Sequence, residues 1–321
     1  MTPMPLDPGA QRVLDLIKEA GRPPYETLDP ETARELYRAG RFVLQPDPPS
    51  VAITRDLLAP GPGGPIKLRL YRASGTRPEE KLPAFVYLHG GGWVMGDLDT
   101  HDGVCRALAN AARCAVIAVD YRLAPEHKFP AAVEDAFAAA QWIAGNAEAL
   151  AVDPARLAIA GDSAGATLAA VVCLMARDAG SPLLHLQCRV YPATDMAMTR
   201  ASHRAFTTGL PLVHSTMVWF RDLYLRDAAD RSDWRASPVR AADLQGLPPA
   251  LVFTAGHDPL LDEGDAYARR LEEAGVAVTH RCFADQIHGF LTMGRFIAAS
   301  HQAIGELAAA LRRIGAAETK R

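Results

Sequence analysis

This sequence lacks the basic stretches, the long apolar runs and the N-terminal signal that mark nucleic-acid-binding, membrane-spanning and secreted proteins. Its 321 residues carry a net charge of −3 and no extended basic stretch, so we expect no nucleic-acid partner. No apolar run approaches the ~20 residues that a transmembrane helix needs. The N-terminal segment also lacks the basic head and apolar core of a secretory signal. The sequence therefore predicts a cytoplasmic protein without a membrane span.

Cysteine is scarce as well. The five cysteines are odd in number and scattered, mostly inside apolar runs, and no C-x-x-C pair or Cys/His spacing suggests a zinc site. We expect them to be reduced core residues, and we expect neither a metal nor a cofactor. They are Cys105, Cys114, Cys173, Cys188 and Cys282.

What the chain does have is 49% hydrophobic residues, arranged in two different patterns. Residues 9–20 and 30–41 show the periodicity of amphipathic helices, the second capped by Asp29 or Thr27. A proline-rich stretch at 45–50 then leads into a long alternation of short apolar runs and helical segments. Such alternation predicts a mostly parallel sheet with helices on both faces. The predicted strands are 51–58, 66–71, 84–88, 115–119, 157–160, 186–191, 250–255 and 276–283, and the helices between them are 104–112, 131–144, 164–176 and 264–274.

One segment breaks this rhythm. Residues 196–247 contain no predicted strand, but their apolar stripe at 212–225 includes Val213, Met217, Phe220 and Tyr224. We expect this stripe to pack on the N-terminal helices as a cap. The predicted organisation is a first cap segment at 1–50, an α/β core at 51–195, a second cap segment at 196–247 and the rest of the core at 248–321.

Ser163 lies between two glycines at a predicted strand-to-helix turn, in Gly161-Asp-Ser-Ala-Gly165. Glycines on both sides permit the crowding of a sharp turn that holds a hydroxyl above a sheet. This is the pattern of a nucleophile elbow. The alternative is that Ser163 only caps the following helix, so the assignment requires a base, an acid and an oxyanion site.

The base and the acid follow from chain order, which for an elbow of this type is Ser, then Asp or Glu, then His. Of the histidines after Ser163, only His288 lies in a loop just after the last predicted strand. Asp258 is the first carboxylate after the strand before it, and Asp195 is the rival acid. Asp258 would orient the His288 imidazole and stabilise its cation.

A triple glycine follows the strand at 84–88. Backbone N–H groups must point at the charge of a tetrahedral intermediate, and glycine allows the close approach that this requires. Gly91 and Gly92 would supply two such donors, and Ala164 at the helix N-terminus a third. His89 would hold the loop rather than carry a proton.

With these residues in place, the sequence resembles the hormone-sensitive-lipase-like branch (family IV) of the α/β-hydrolases. The matching stretches span nearly the whole chain in the right order: His89-Gly-Gly-Gly-Trp93, Asp120-Tyr-Arg-Leu-Ala-Pro-Glu126, Gly161-Asp-Ser-Ala-Gly165, Asp258-Pro-Leu-Leu-Asp-Glu263 and His288-Gly-Phe290. The resemblance implies an α/β-hydrolase fold with a helical cap and a serine carboxylesterase for short- to medium-chain esters. It also implies that no cofactor takes part, and a homodimer through the last strand and helix. Two alternatives stay open, a non-catalytic small-molecule receptor and an amidase or peptidase on the same fold.

The chain departs from the family pattern in ways that bear on the site. The aromatic after the triple glycine is Trp93, where Phe or Tyr is commoner, and we expect it to contact substrate. Gly165 is followed by Ala166-Thr167 rather than Gly-Asn. Before His288, a Tyr-x-Gly stretch is replaced by Phe283-Ala-Asp285. If Asp285 came near the imidazole, it would favour the imidazolium and move the acidic limb of kcat/KM to higher pH; otherwise it is a solvated carboxylate.

Overall fold

The computed structural model describes residues 4–314, and within them one sheet of eight strands forms the centre. The order of strands across the sheet is β1-β2-β4-β3-β5-β6-β7-β8. The pairs β1–β2 and β2–β4 are antiparallel, and all other neighbours are parallel. The mostly parallel sheet was therefore predicted correctly. The strands are β1 Ile53–Ala59, β2 Ile66–Arg72, β3 Leu82–Leu88, β4 Ala115–Asp120, β5 Val152–Asp162, β6 Leu186–Val190, β7 Ala250–His257 and β8 Val278–Ile287.

Helices cover both faces of this sheet, as its sequence pattern predicts. Those of one face, α4, α5 and α8, share a core with the inner strands, while α3 and α9 pack together on the other face. No helix within residues 4–314 has the length and apolarity to cross a membrane. The helices are α1 Pro8–Glu19, α2 Pro30–Leu44, α3 Asp102–Ala112, α4 Ala131–Gly145, α5 Ala164–Ala179, α6 Ala201–Ala205, α7 His214–Tyr224, α8 Leu261–Glu273 and α9 Ala298–Arg313.

The two N-terminal helices begin at side-chain caps. Asp7 Oδ1 accepts hydrogen bonds from the N–H groups of Gly9 and Ala10, and Pro8 takes the first helical position. For α2 the cap is Asp29 rather than Thr27, since Asp29 Oδ1 accepts from the N–H of Thr32 at 3.0 Å. A carboxylate at this position satisfies backbone donors that the first helical turn leaves free.

The segment between β6 and β7 contains no strand among the described residues, and its helix α7 packs with the N-terminal helices. Met217 and Phe220 of α7 are buried in the same hydrophobic cluster as Tyr37 of α2, as the apolar stripe predicted. Hydrogen bonds also join the N-terminal segment to α7. Glu26, in a 3₁₀ turn at Tyr25–Thr27, accepts hydrogen bonds from Ser215 Oγ and Thr216 Oγ1 at 2.5 and 2.8 Å.

The last two strands run further than their apolar patterns suggested. We expected β7 to end at residue 255 and β8 at 283, but they reach His257 and Ile287. An irregularity in their pairing after Ala255 brings His257 opposite Ile287. Because both strands end at this pair, Asp258 and His288 follow directly at the same edge of the sheet.

Candidate active site

Ser163 occupies the turn between β5 and α5 in a strained conformation, with φ 53° and ψ −121°. The two glycines around it are required by space. A Cβ on Gly161 would lie 2.7 Å from the carbonyl oxygen of Leu88, and a Cβ on Gly165 would overlap that same oxygen. Although Ser163 precedes the helix, its side chain makes no capping hydrogen bond. The elbow geometry is therefore present, and the simple capping role is not.

The Ser163 hydroxyl instead faces an imidazole. His288 Nε2 lies 3.0 Å from Ser163 Oγ, and His288 Nδ1 lies 2.7 Å from Asp258 Oδ2. Asp258 is fully buried, and its other oxygen accepts the N–H of Leu260 at 2.8 Å. With a proton on Nδ1 shared toward the carboxylate, Nε2 is left as an acceptor for the serine proton. The structure thus brings together the three side chains that the chain order had selected.

The glycine loop after β3 lies beside this group. Gly91 and Gly92 have positive φ angles of 130° and 62°, which side-chain-bearing residues rarely adopt. Within residues 4–314, neither of their N–H groups donates to a protein acceptor. Ala164 follows Ser163 at the N-terminus of α5, where backbone N–H groups are also free. These donors are available for an anionic oxygen.

Asp162, which sequence reasoning passed over, connects the elbow to the glycine loop. Its Oδ1 accepts hydrogen bonds from the N–H of Gly90 at 3.0 Å and from the Tyr87 hydroxyl at 2.9 Å, and His101 Nε2 lies 3.3 Å from it. Burial alone would raise the pKa of Asp162, but His101 and Tyr87 outweigh it and lower that pKa to about 2. The available signal was its place inside the elbow motif, next to the serine.

His89 has the loop-fixing role that we expected. Its ring stacks on Tyr121 at a centroid distance of 4.2 Å, and its Nδ1 lies 2.9 Å from the carbonyl oxygen of Gly90. Burial lowers the pKa of His89 to about 4, and His101 adds to the effect. A histidine that is neutral and enclosed in this way positions the loop and is not a proton carrier.

Comparison with known proteins agrees with this geometry. Residues 85–292 match the family described as the alpha/beta hydrolase fold. The chain belongs to the α/β-hydrolase family. The Carboxylic ester hydrolase LipN of Mycobacterium tuberculosis is 42% identical over 313 residues, which cover 96% of this chain and 82% of LipN. The Ethyl acetate hydrolase of Pseudomonas putida is 39% identical over 303 residues, covering 92% of this chain and 94% of the relative.

A solved structure is similarly close to this α/β-hydrolase. An ester-hydrolase from the metagenome of Lake Arreo is 45% identical, with a TM-score of 0.92 over 96% of this chain and 98% of that one. Identity at this level over nearly the whole chain confirms the predicted fold and the resemblance to the hormone-sensitive-lipase-like branch.

The hydrolase site opens into a cavity of about 640 Å³ between the cap and the carboxyl edge of the sheet. Ser163, His288, Gly91 and Gly92 line its floor, and residues of α1, α2 and α7, together with loop residues such as 207–213, line most of the rest. Trp93 reaches the cavity, but most of its ring is buried by stacking on Tyr224 at a centroid distance of 4.6 Å. Among residues 4–314, no group of three or more His, Cys, Asp or Glu side chains converges on a metal-sized position.

Two other carboxylates of this hydrolase, those of Asp195 and Asp285, bind groups other than the His288 imidazole. Asp195, the rival acid, binds Arg240 Nε at 3.0 Å and the N–H of Ala197 at 3.1 Å. Asp285 lies inside β8, not in the loop that we expected, because the strand continues past it. Its carboxylate accepts a hydrogen bond from the side chain of Gln286 at 3.2 Å, and Asp285 does not contribute to the cavity wall.

Proposed function

We propose that this chain is a serine carboxylesterase in which Ser163 is the nucleophile, His288 the general base and Asp258 its partner. The reaction class, carboxylic ester hydrolysis, is that predicted from the sequence, and it is the class of relatives about 40% identical across nearly the whole chain. The observation that carries the mechanism is the continuous line of contacts from Asp258 Oδ2 through both nitrogens of His288 to Ser163 Oγ.

The first half of the reaction forms an acyl-enzyme. His288 Nε2 takes the Ser163 proton as the oxygen attacks the ester carbonyl, and Asp258 stabilises the resulting imidazolium. The negative oxygen of the tetrahedral intermediate is held by the N–H groups of Gly91, Gly92 and Ala164. His288 then gives its proton to the departing alcohol oxygen.

The second half repeats these steps with water. His288 removes a proton from the water molecule, which attacks the acyl carbonyl, and Ser163 leaves with the proton that His288 returns. The products are a carboxylic acid and an alcohol. The same glycine loop stabilises both tetrahedral intermediates, so its fixed shape contributes to each half.

The enzyme is proposed to favour short- and medium-chain acyl groups. The support is a bounded cavity, with Trp93 and Phe220 beside the glycine loop and the helices α1, α2 and α7 above it. A panel of 4-nitrophenyl esters from acetate to palmitate tests this. A maximum of kcat/KM on the longest, emulsified esters would overturn the preference without touching the reaction class.

The acyl-enzyme is tested directly by rapid mixing with 4-nitrophenyl butyrate and by a phosphonate ester that reacts with activated serines. We expect a burst of 4-nitrophenol from the ester. The phosphonate should give a single adduct, located on Ser163 by peptide mass spectrometry and missing in Ser163→Ala. Binding without turnover would favour the receptor alternative. Faster cleavage of the matching 4-nitroanilide than of the ester would favour the amidase or peptidase.

A homodimer through β8 and α9 is also proposed. The support is that, within residues 4–314, β8 is the last strand of the sheet and pairs with β7 alone, so its other edge has no strand partner. Light scattering after size exclusion measures the mass in solution. A mass of one chain at micromolar concentration would overturn the proposal.

A cytoplasmic location is proposed as well. The five cysteines are free, and four of them are buried, as expected for core thiols; Cys282 is exposed. Fractionation of the producing cells tests this location.

A further inference from the structure

The wall of the active-site cavity contains four acidic side chains, and each of them accepts hydrogen bonds from other groups of the protein. Glu26 accepts two hydroxyl hydrogen bonds, Asp195 binds Arg240, and Glu263 binds His203 Nε2 at 2.9 Å and the N–H of Thr194 at 2.7 Å. Asp162 is held between Gly90 and Tyr87. The carboxylates of the cavity therefore have donors of their own.

Arg41 differs from these groups. It extends from α2 into the same cavity, and one of its terminal nitrogens donates to Thr292 Oγ1. Its guanidinium carbon lies 4.5 Å from the ring centre of Tyr37. Within residues 4–314, no Asp or Glu oxygen comes within 4.0 Å of its side-chain nitrogens, although its charge helps to lower the pKa of the buried Asp162 from further away.

The guanidinium also lies next to the catalytic turn. A Cβ placed on Gly289, the residue after His288, would be 3.5 Å and 3.7 Å from the two terminal nitrogens of Arg41. The charge therefore stands beside the backbone that carries the base, in the cavity that Ser163 enters. The contact with the Tyr37 ring and the hydrogen bond to Thr292 hold the Arg41 guanidinium in place.

A guanidinium that lines a cavity and has no carboxylate within 4.0 Å has donors left for a ligand. It stays charged throughout the working pH range and has five N–H donors, of which the protein uses few. Arg41 is half-buried, and taking part of a charged group out of water has a cost that a partner offsets. A planar fork with free donors matches a carboxylate, which it binds through two parallel hydrogen bonds.

We propose that Arg41 binds a carboxylate on the substrate, so that this hydrolase prefers esters that carry one negative charge away from the scissile bond. The inference rests on the esterase function proposed above. The reaction itself is the same as for a neutral ester, since the ester and one water molecule give a carboxylic acid and an alcohol. The substrate carboxylate that binds Arg41 forms and breaks no covalent bond. Its pairing with Arg41 holds the ester while Ser163 attacks.

The test compares matched substrates in a pH-stat. The monoethyl esters of succinic, glutaric and adipic acid carry the charge on the acyl side, and ethyl pentanoate, hexanoate and heptanoate are their neutral counterparts. For the alcohol side, 3-acetoxypropanoate is compared with butyl acetate. The arm with the larger charged-to-neutral ratio of kcat/KM identifies which side of the ester faces Arg41.

The variants are Arg41→Met and Arg41→Lys, with Arg22→Met as the matched control. Arg22 also borders the cavity, but it is exposed and donates to the carbonyl oxygen of Leu36 at 2.8 Å. We expect Arg41→Met to lower kcat/KM on the charged esters by ~10- to 100-fold, the scale of a hydrogen-bonded charge pair, with far smaller changes on the neutral esters. Arg41→Lys should recover part of the loss, and Arg22→Met should keep the original ratio.

The outcomes separate this inference from the function on which it rests. Equal losses on charged and neutral esters would mean that Arg41 only supports the turn through Thr292, and the inference would fall. An unchanged ratio in both Arg41 variants would also overturn it. If Arg41→Met does not fold, the ratio measured with Arg41→Lys decides. No hydrolysis of any neutral ester by the unaltered protein would instead remove the proposed esterase function.

Discussion

The N–H of Gly90 donates a hydrogen bond to Asp162 Oδ1 at 3.0 Å, which joins the glycine loop to the residue before Ser163. The two segments come from β3 and β5, neighbours in the sheet. A Cβ on Gly90 would lie only 2.5 Å from the other oxygen of this carboxylate. The proposed nucleophile and the proposed oxyanion donors are therefore held by the same buried carboxylate, that of Asp162.

Replacing that carboxylate should cost stability in a pH-dependent way. The pKa of Asp162 is lowered to about 2, because His101 and Tyr87 outweigh the effect of burial. A lowered folded-state pKa stabilises the fold by about 2 kcal/mol above pH ~4, the range of an unfolded aspartate, and this contribution is lost as the pH falls toward ~2. Urea unfolding of Asp162→Asn at pH 7 and pH 2.5 measures it. We expect a clear deficit at pH 7 that shrinks at pH 2.5, and a deficit of equal size at both would contradict the assignment.

Removal of the nucleophile or the base should abolish nearly all activity while leaving the fold intact. We expect Ser163→Ala and His288→Ala each to lower kcat by roughly 10⁶-fold, as found for the corresponding groups of subtilisin. The double variant should lose no more than either single one, because the two side chains act as a unit. Circular dichroism checks the fold, and retention of a few per cent of activity in Ser163→Ala would identify a different nucleophile.

The two candidate acids are distinguished by isosteric variants. Asp258→Asn should lower kcat by about 10⁴-fold, because an amide favours the wrong tautomer of His288. Asp195→Asn should lower kcat by less than about tenfold, because the buried Asp195 carboxylate binds Arg240 and the N–H of Ala197 rather than His288, and a pair with an exposed partner such as Arg240 contributes little. Steady-state kinetics on one ester decides, and a larger loss in Asp195→Asn would reverse the assignment.

Asp285 should leave the pH dependence of the enzyme unchanged. Its side chain is bound by Gln286 within β8, and its carbonyl oxygen accepts the N–H of Asp7 at 3.0 Å. We therefore expect profiles of kcat/KM against pH to superimpose for the unaltered enzyme and Asp285→Asn, on a small and on a bulky ester alike. An acidic limb that moves to lower pH in the variant would show that the carboxylate acts on the base after all.

The pattern of apolar runs was sufficient to predict the sheet, and the motifs with their order pointed to three side chains that lie in contact in the structure, Ser163, Asp258 and His288. The ends of the strands were harder to predict from the sequence. His257 and Ile287 continue β7 and β8 because they pair with each other, and that pairing depends on a register shift between Ala255 and His257 that the apolar pattern does not indicate.

Contacts between the cap and the core could not be predicted at all. Arg34 of α2 donates to the carbonyl oxygens of Val94 and Ala124, both at 2.8 Å, across 60 and 90 residues of sequence. No periodicity encodes such a partner, because each carbonyl group is the same in every residue. Arg41 is hidden from sequence reasoning for the same reason, since its place in a helical stripe says nothing of the cavity beside it.

The position of β8 has a consequence for how this enzyme would fail under stress. The proposed nucleophile, Ser163, directly follows β5 in the middle of the sheet, whereas the proposed base, His288, follows β8, which pairs with one strand, β7, within residues 4–314. Outer strands open at lower free energy than central ones. Heat would therefore displace His288 while the elbow, the glycine loop and most of the helices are still in place, so that catalysis would end before the fold does.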